Sequence, residues 1–300
     1  MQNIKYYKVA DVLFSVTADD GDFALMTNYE PFVCDDGSSA SAVFQLSVKE
    51  GDTVAYTEEM RQDDEGQMIV CGKTGDGNPV FEFIWANETA GWLLGSQDYR
   101  QATLVVTGRY RKLAIDNALM ILYALSTAEL GVALFHSSTV SFGDKAYMFL
   151  GVSGTGKSTH SSLWLKYIEG TELLNDDNPV VRLFPGDVLV YGSPWSGKTH
   201  CYKPVSAPLR GLVRLRQAPF NSIGRLEDVD AYLAISSSVS AFHLEGMRDL
   251  LHESVSSLVQ RIPVYRLDCL PNAEAAQLCH EFFLVSLANI HPEELWPRST

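Results

Sequence analysis

Basic residues are scarce in this chain: 23 Lys and Arg stand against 37 Asp and Glu in 300 residues, a formal net charge of −14. A nucleic-acid binder needs a basic face to meet phosphates, so no nucleic-acid partner is expected. Cysteines are few as well. Cys34, Cys71, Cys201, Cys269 and Cys279 form an odd, widely spaced set with no C-x-x-C pair, which argues against a disulfide framework and a zinc site. No apolar run reaches the roughly 18 residues of a membrane span, and the opening Met-Gln-Asn-Ile-Lys-Tyr-Tyr lacks the apolar stretch of a signal peptide. A cytoplasmic protein with no membrane partner is the expectation. Repeats and low-complexity segments are lacking too. What is present is 46% apolar and 11% aromatic content, enough for one large core or two moderate ones.

The charge is unevenly spread. Up to Arg100 there are 18 Asp or Glu against six Lys or Arg, so most of the negative charge sits in the first third. Between Lys198 and Arg225 the balance reverses: Lys198, Lys203, Arg210, Arg214, Arg216 and Arg225 occur with no carboxylate among them. Such a stretch reads either as an anion-binding face or as a solvated strand edge.

The most informative segment is Gly151-Val-Ser-Gly-Thr-Gly-Lys-Ser-Thr159, which matches G-x-x-x-x-G-K-[ST]. Glycines let successive backbone N–H groups turn inward around a phosphate, where a Cβ would block approach, and a following helix adds its positive end. The flanks fit. Lys145–Leu150 reads as a short apolar strand, and from Lys157 to Ile168 the residues Leu163, Trp164, Tyr167 and Ile168 recur at helical spacing. The expected nucleotide-binding set is Gly151, Ser153, Gly154, Thr155, Gly156, Lys157, Ser158 and Thr159, with Lys157 on the β- and γ-phosphates of ATP and the Ser158 hydroxyl on Mg²⁺. A second formal match, Gly192-Ser-Pro-Trp-Ser-Gly-Lys-Thr199, is rejected as a loop of the same kind. Pro194 removes a backbone donor and no helical pattern follows, though a loop beside the active site stays open.

A phosphate loop binds but does not by itself transfer. Asp176 and Asp177, about 20 residues beyond Lys157 at the end of an apolar stretch, are the candidates to hold the metal and accept a proton. Consecutive carboxylates on an extended segment point opposite ways, so each would serve a different task or both would compete for one ion; Asn-Asp-Asp-Asn is also turn-rich composition. His136 opens the strand leading into the loop, where a histidine serves structure or chemistry.

For the whole chain, residues 1–107 read as a small acidic β-rich domain, with strands over Tyr6–Phe14, Ala42–Val48, Met68–Cys71, Val80–Trp85 and Thr103–Val106. Residues 108–300 read as an α/β domain with a mixed sheet. Helices are expected over Arg109–Leu130, Leu244–Val259 and Ala273–Leu287. Strands are expected over Val132–Phe142, Val180–Leu183, Val188–Tyr191 and Val264–Leu267, with an extended run over Tyr232–Val239.

His136, the glycine loop and Asp176-Asp177 occur in the order found in the catalytic domain of HPr kinase/phosphorylase, which this chain resembles from about Ala114 onward. The loop itself is similar to that of phosphoenolpyruvate carboxykinase, which shares the fold. The long glycine-rich segment that HPr kinase uses around its protein substrate is missing here, so the chain resembles a small kinase-like branch of that superfamily. The resemblance implies Mg²⁺-dependent transfer from ATP to a serine-like hydroxyl of a peptide or small molecule, in a homo-oligomer. It implies one aspartate on the metal, the other as base, His136 beside the base, and Lys198, Arg214 or Arg216 neutralising charge. A nucleotide-sensing or peptide-binding module without turnover, and reverse transfer from a phosphorylated acceptor, use the same groups.

Overall fold

The computed structural model describes residues 2–35, 41–64, 66–197, 199–240 and 247–288. They form a mixed α/β protein with two mixed sheets, divided between compact units at residues 1–127 and 128–300.

The first unit is an eight-stranded sheet. In chain order its elements are β1 (Asn3–Val9), β2 (Val12–Ala18), α1 (Asp20–Leu25), a 3₁₀ turn (Thr27–Phe32), β3 (Phe44–Glu50), β4 (Thr57–Asp64), β5 (Gln67–Lys73), β6 (Pro79–Trp85), β7 (Glu88–Gly95), β8 (Gln101–Val106) and α2 (Arg111–Thr127). The sheet order is β1-β2-β3-β8-β7-β6-β5-β4, parallel at β2/β3 and β3/β8 and antiparallel elsewhere. The run Tyr6–Phe14, expected as one strand, is a hairpin instead. Ala10 and Asp11 take φ of 47° and 59°, the pair of left-handed residues that a two-residue reverse turn requires.

The helix α2 belongs to this compact unit, which runs to Thr127, whereas the sequence reading places a boundary near residue 107. Its buried Ala114, Ile115, Ala118, Leu122 and Tyr123 pack on β3, β7 and β8. A Cβ on Gly91 in β7 would run into Val105 O of β8 at 2.6 Å, so glycine there permits the close approach of the neighbouring strand. The Tyr123 ring meets Phe14 and Phe44 edge-on, and its hydroxyl donates to Val9 O at 2.9 Å. At the helix start Arg111 forks onto buried Asp22, Nε to Oδ1 at 2.9 Å and Nη2 to Oδ2 at 3.0 Å. Burial pushes the Asp22 carboxyl up from its ordinary value and the Arg111 pairing opposes that. Together with the 3₁₀ turn that follows, Arg111–Leu130 is long and apolar enough to cross a membrane by length and composition, yet 67% of its most apolar window is buried within the protein.

The second unit is built on a nine-stranded sheet. After the turn Ala128–Leu130 come β9 (Val132–Leu134), β10 (Ser137–Phe142), β11 (Lys145–Leu150), α3 (Lys157–Tyr167), β12 (Thr171–Asp177), β13 (Val180–Leu183), β14 (Val188–Tyr191) and β15 (Ser206–Gln217). Then follow β16 (Ser222–Leu226), α4 (Asp228–Ser236), α5 (Met247–Arg261), β17 (Val264–Cys269) and α6 (Ala273–Ala288). The order β12-β10-β11-β15-β14-β13-β9 is completed by β17, parallel to β15, and β16 outside it. Alternation along β11 sets the layers. Ala146, Met148 and Leu150 join the core under α4 and α5, while Tyr147 and Phe149 join Trp164 of α3 and Phe283 of α6 on the other face.

Two expectations fail here. Val132–Phe142 is broken at Phe135–His136, because β9 pairs with β13 while β10 pairs with β11 and β12. Tyr232–Val239 is largely helix: Ala231, Ala234 and Ile235 recur at i, i+3 and i+4 and bury one face of α4, and tertiary burial overrides the strand-like composition. The first residues expected in the next helix, 244–246, lie outside the described residues.

Candidate functional site

The strand β11 delivers the chain to the glycine loop at the carboxyl end of the sheet. Gly151, Gly154 and Gly156 take φ of 148°, 78° and 107°, values that side-chain-bearing residues rarely adopt. A Cβ on Gly154 or Gly156 would meet nothing within 4 Å, so at both positions it is the backbone angle that calls for glycine, while the space beside the loop stays open. Thr155 closes the turn, its N–H and its hydroxyl both donating to Val152 O, at 3.2 and 2.7 Å. Lys157, the first residue of α3, is buried and lies back across the loop, with Nζ donating to Gly151 O at 2.9 Å and Val152 O at 3.4 Å. Ser153, Ser158 and Thr159 are exposed.

The carboxylate pair arrives at the same end by topology. The β10–β11 hairpin sets Ser137 opposite Leu150, and antiparallel β12 sets Asp177 opposite Ser137 and Asp176 opposite Ser138. Asp176 is buried, and its Oδ1 accepts from the Ser158 hydroxyl at 2.8 Å. Asp177 turns the other way, as alternation demands. Its Oδ1 lies 3.4 Å from His136 Nε2, and its Oδ2 accepts from Asn178 Nδ2 at 3.0 Å. The His136 and Asp177 side chains are 44% and 38% exposed, so this pair is open to solvent.

The second glycine motif grips the backbone of both aspartates. Gly197 N–H donates to Asp176 O at 2.7 Å, the Ser196 hydroxyl donates to the same oxygen at 2.9 Å, and Ser196 bridges Asp177. A Cβ on Gly197 would lie 3.1 Å from that of Asp177, and one on Gly192 would run into Lys203 O. Residues 201–205 have no helix. This is a clamp, and its glycines are explained by close approach. His136 is held from the other side, its N–H donating to Ser238 O at 2.7 Å. Lys198 lies outside the described residues.

The basic stretch is mostly neutralised by carboxylates beyond it. Arg210 pairs with Asp187 at 2.9 Å, Arg225 with Glu227 at 2.8 Å, and Arg216 with buried Asp268 at 2.5 Å, a carboxylate shared with Arg266. Arg216 is thereby occupied in holding β15 to β17. Arg214 is better placed: it sits opposite Leu150 in the parallel register, next to the loop, and Nη1 donates to the Ser237 hydroxyl at 2.5 Å.

Sequence reasoning missed a cavity of about 650 Å³ on the far side of the loop. One wall is Gly154, Thr155, Gly156, Thr159, His160 and Leu163; the other is the exits of β15 and β17, with Gln217, Pro219, Cys269 and Pro271. The two prolines that end parallel strands were the available signal. His160 is buried and its Nε2 accepts from Trp164 Nε1 at 3.1 Å; burial lowers its pKa to about 4. Gln217 Nε2 reaches across to Gly154 O at 3.2 Å.

Among the described residues no group of three or more His, Cys, Asp or Glu could hold a metal. One hydroxyl and one carboxylate are together at Ser158 and Asp176, a hard-oxygen set that suits Mg²⁺ completed by phosphate and water, and not a cation needing an all-protein cage.

No family model and no curated protein matches the chain. Among solved structures, the HPr(Ser) kinase/phosphatase from Coxiella burnetii is similar, with 11% identity and a TM-score of 0.31 over 52% of this chain and 90% of that one. The likeness is distant and concerns fold alone.

Proposed function

We propose that the second unit is a Mg²⁺-dependent phosphotransferase that moves the γ-phosphoryl group of ATP to a hydroxyl on a peptide or small molecule. The observation that carries this reading is the 2.8 Å contact between Ser158 and Asp176, which joins the glycine loop to the carboxylate pair. A loop used only for turning the chain has no need of a buried carboxylate on its hydroxyl.

In this reading the loop N–H groups and Lys157 hold the phosphates. Ser158 and Asp176 would hold Mg²⁺, which when bound neutralises phosphate charge. Asp177, with His136 at 3.4 Å, takes the proton of the acceptor hydroxyl as its oxygen bonds to phosphorus and the bond to the ADP leaving oxygen breaks. Arg214 faces the negative charge that develops, next to the loop.

The test is calorimetry with MgATP on the natural chain and on Lys157→Ala, followed by ATP turnover on Asp177→Asn. Loss of the lysine contact should weaken binding by about 2 to 4 kcal/mol, and Asp177→Asn should bind nucleotide yet lose turnover. If the natural chain binds no nucleotide, the proposal fails. Binding with no turnover against hydroxyl-bearing candidates would leave a nucleotide-sensing module in its place.

A further inference from the structure

The sheet order places the loop between two different regions. Going one way from β11, the strands β10 and β12 lead to Asp176 and Asp177; going the other way, β15 and β17 lead to the cavity. At about 4.8 Å between strands, each lies within roughly 10 Å of the loop. β11, β15 and β17 run parallel, and the crevice beyond the carboxyl ends of parallel strands is where such sheets take ligands. A donor whose phosphates lie in the loop therefore has one end at the carboxylates and the other at the cavity.

The cavity walls are chiefly apolar: Leu163, Leu215, Ala218, Pro219, Leu270 and Pro271. Their polar side chains are few: Thr155, Thr159, His160, Gln217 and Cys269. Thr155 donates to Val152 O, the Gln217 amide donates to Gly154 O, and His160 Nε2 accepts from Trp164. No carboxylate is among the lining residues. Asp268 immediately precedes Cys269, but its carboxylate is held by Arg216 and Arg266.

We infer that this cavity is a nucleoside pocket that encloses the base by apolar contact, so that the donor is a nucleoside triphosphate with either purine and not an inorganic polyphosphate. The inference rests on the reading of the glycine loop as a phosphate site. A pocket built to hydrogen-bond one base rejects the other by about 10⁴-fold, whereas an apolar slot separates similar groups by only about 10- to 100-fold. With no carboxylate among the lining residues to face the N1–H and N2–H donors of guanine, and with the Gln217 N–H given to Gly154 O, this pocket belongs to the second kind.

The experiment is calorimetry on the full chain with Mg²⁺ and three probes: tripolyphosphate, ATP and GTP. ATP and GTP should bind within about tenfold of each other, and both at least about tenfold tighter than tripolyphosphate. Ala218→Trp, which fills the cavity, should bring both nucleotides down to the affinity of tripolyphosphate while leaving tripolyphosphate unchanged. Leu270→Trp, at a half-exposed wall position, is the second variant should Ala218→Trp misfold. Tripolyphosphate binding as tightly as ATP, a preference of more than about 1,000-fold for one purine, or nucleotide binding indifferent to the filled cavity overturns the inference. The first and last of these leave the phosphate reading standing. Failure of all three probes overturns that reading, and the pocket assignment falls with it.

Discussion

Asp177 has φ of 127°, a conformation that costs a side-chain-bearing residue on the order of 1 to 3 kcal/mol. The clamp holds it there from both directions, through Ser196 on one side and Asn178 N–H donating to Trp195 O at 3.2 Å on the other. His160 is the other residue whose state the fold dictates. Its pKa of about 4 comes from burial, against 6.5 when exposed, so between these values the unfolded chain binds a proton that the folded one refuses. Stability from this residue is complete above pH 6.5 and falls as the pH drops toward 4, by about 3 kcal/mol in total. Denaturant unfolding at pH 7 and pH 4.5 should therefore show a larger acid loss for the natural chain than for His160→Gln, whose amide oxygen can still accept from Trp164. Equal pH dependence in the two would show that His160 is not held neutral by the fold.

Among the elements, the clamp makes the sharpest demand on sequence. Gly192→Ala drives a Cβ against Lys203 O, where neither backbone can yield cheaply, and should destabilise the protein by about 2 kcal/mol or more. Gly224→Ala in β16 meets open space and should stay within about 0.5 kcal/mol. Equal melting shifts for both would mean that the approach is not tight. How legible each element is follows from the same local physics. Lys145–Leu150, Val180–Leu183 and Val188–Tyr191 were readable to the residue, because short apolar runs stop at turn residues. The charged strand β4 and the glycine-bearing β7 were not, since one offers little apolar surface and the other gives up a side chain to the close approach of the β8 backbone. The glycine loop and the acid pair are local in sequence and could be found. The cavity could not, because its walls come from α3, the end of β15 and the end of β17, segments more than 50 residues apart along the chain.

At the scale of the molecule, the division at Thr127 gives a direct expectation. A fragment of residues 1–127 keeps the apolar face of α2 on its sheet and should unfold cooperatively. A fragment ending at residue 107 leaves Phe14, Phe44 and Leu104 without that cover and should be aggregation-prone or unfolded. Cooperative unfolding of the shorter fragment would return the boundary to the earlier position. The grip on the backbone of the two aspartates has a further consequence, for synthesis. The loop and both aspartates have been made once residue 177 leaves the ribosome, but the groups that hold them, Ser196, Gly197 and the Ser238 carbonyl behind His136, come later. A nascent chain short of Ser238 carries the loop and both aspartates with only part of their grip, so the arrangement closes only after the segment up to residue 238 has been made.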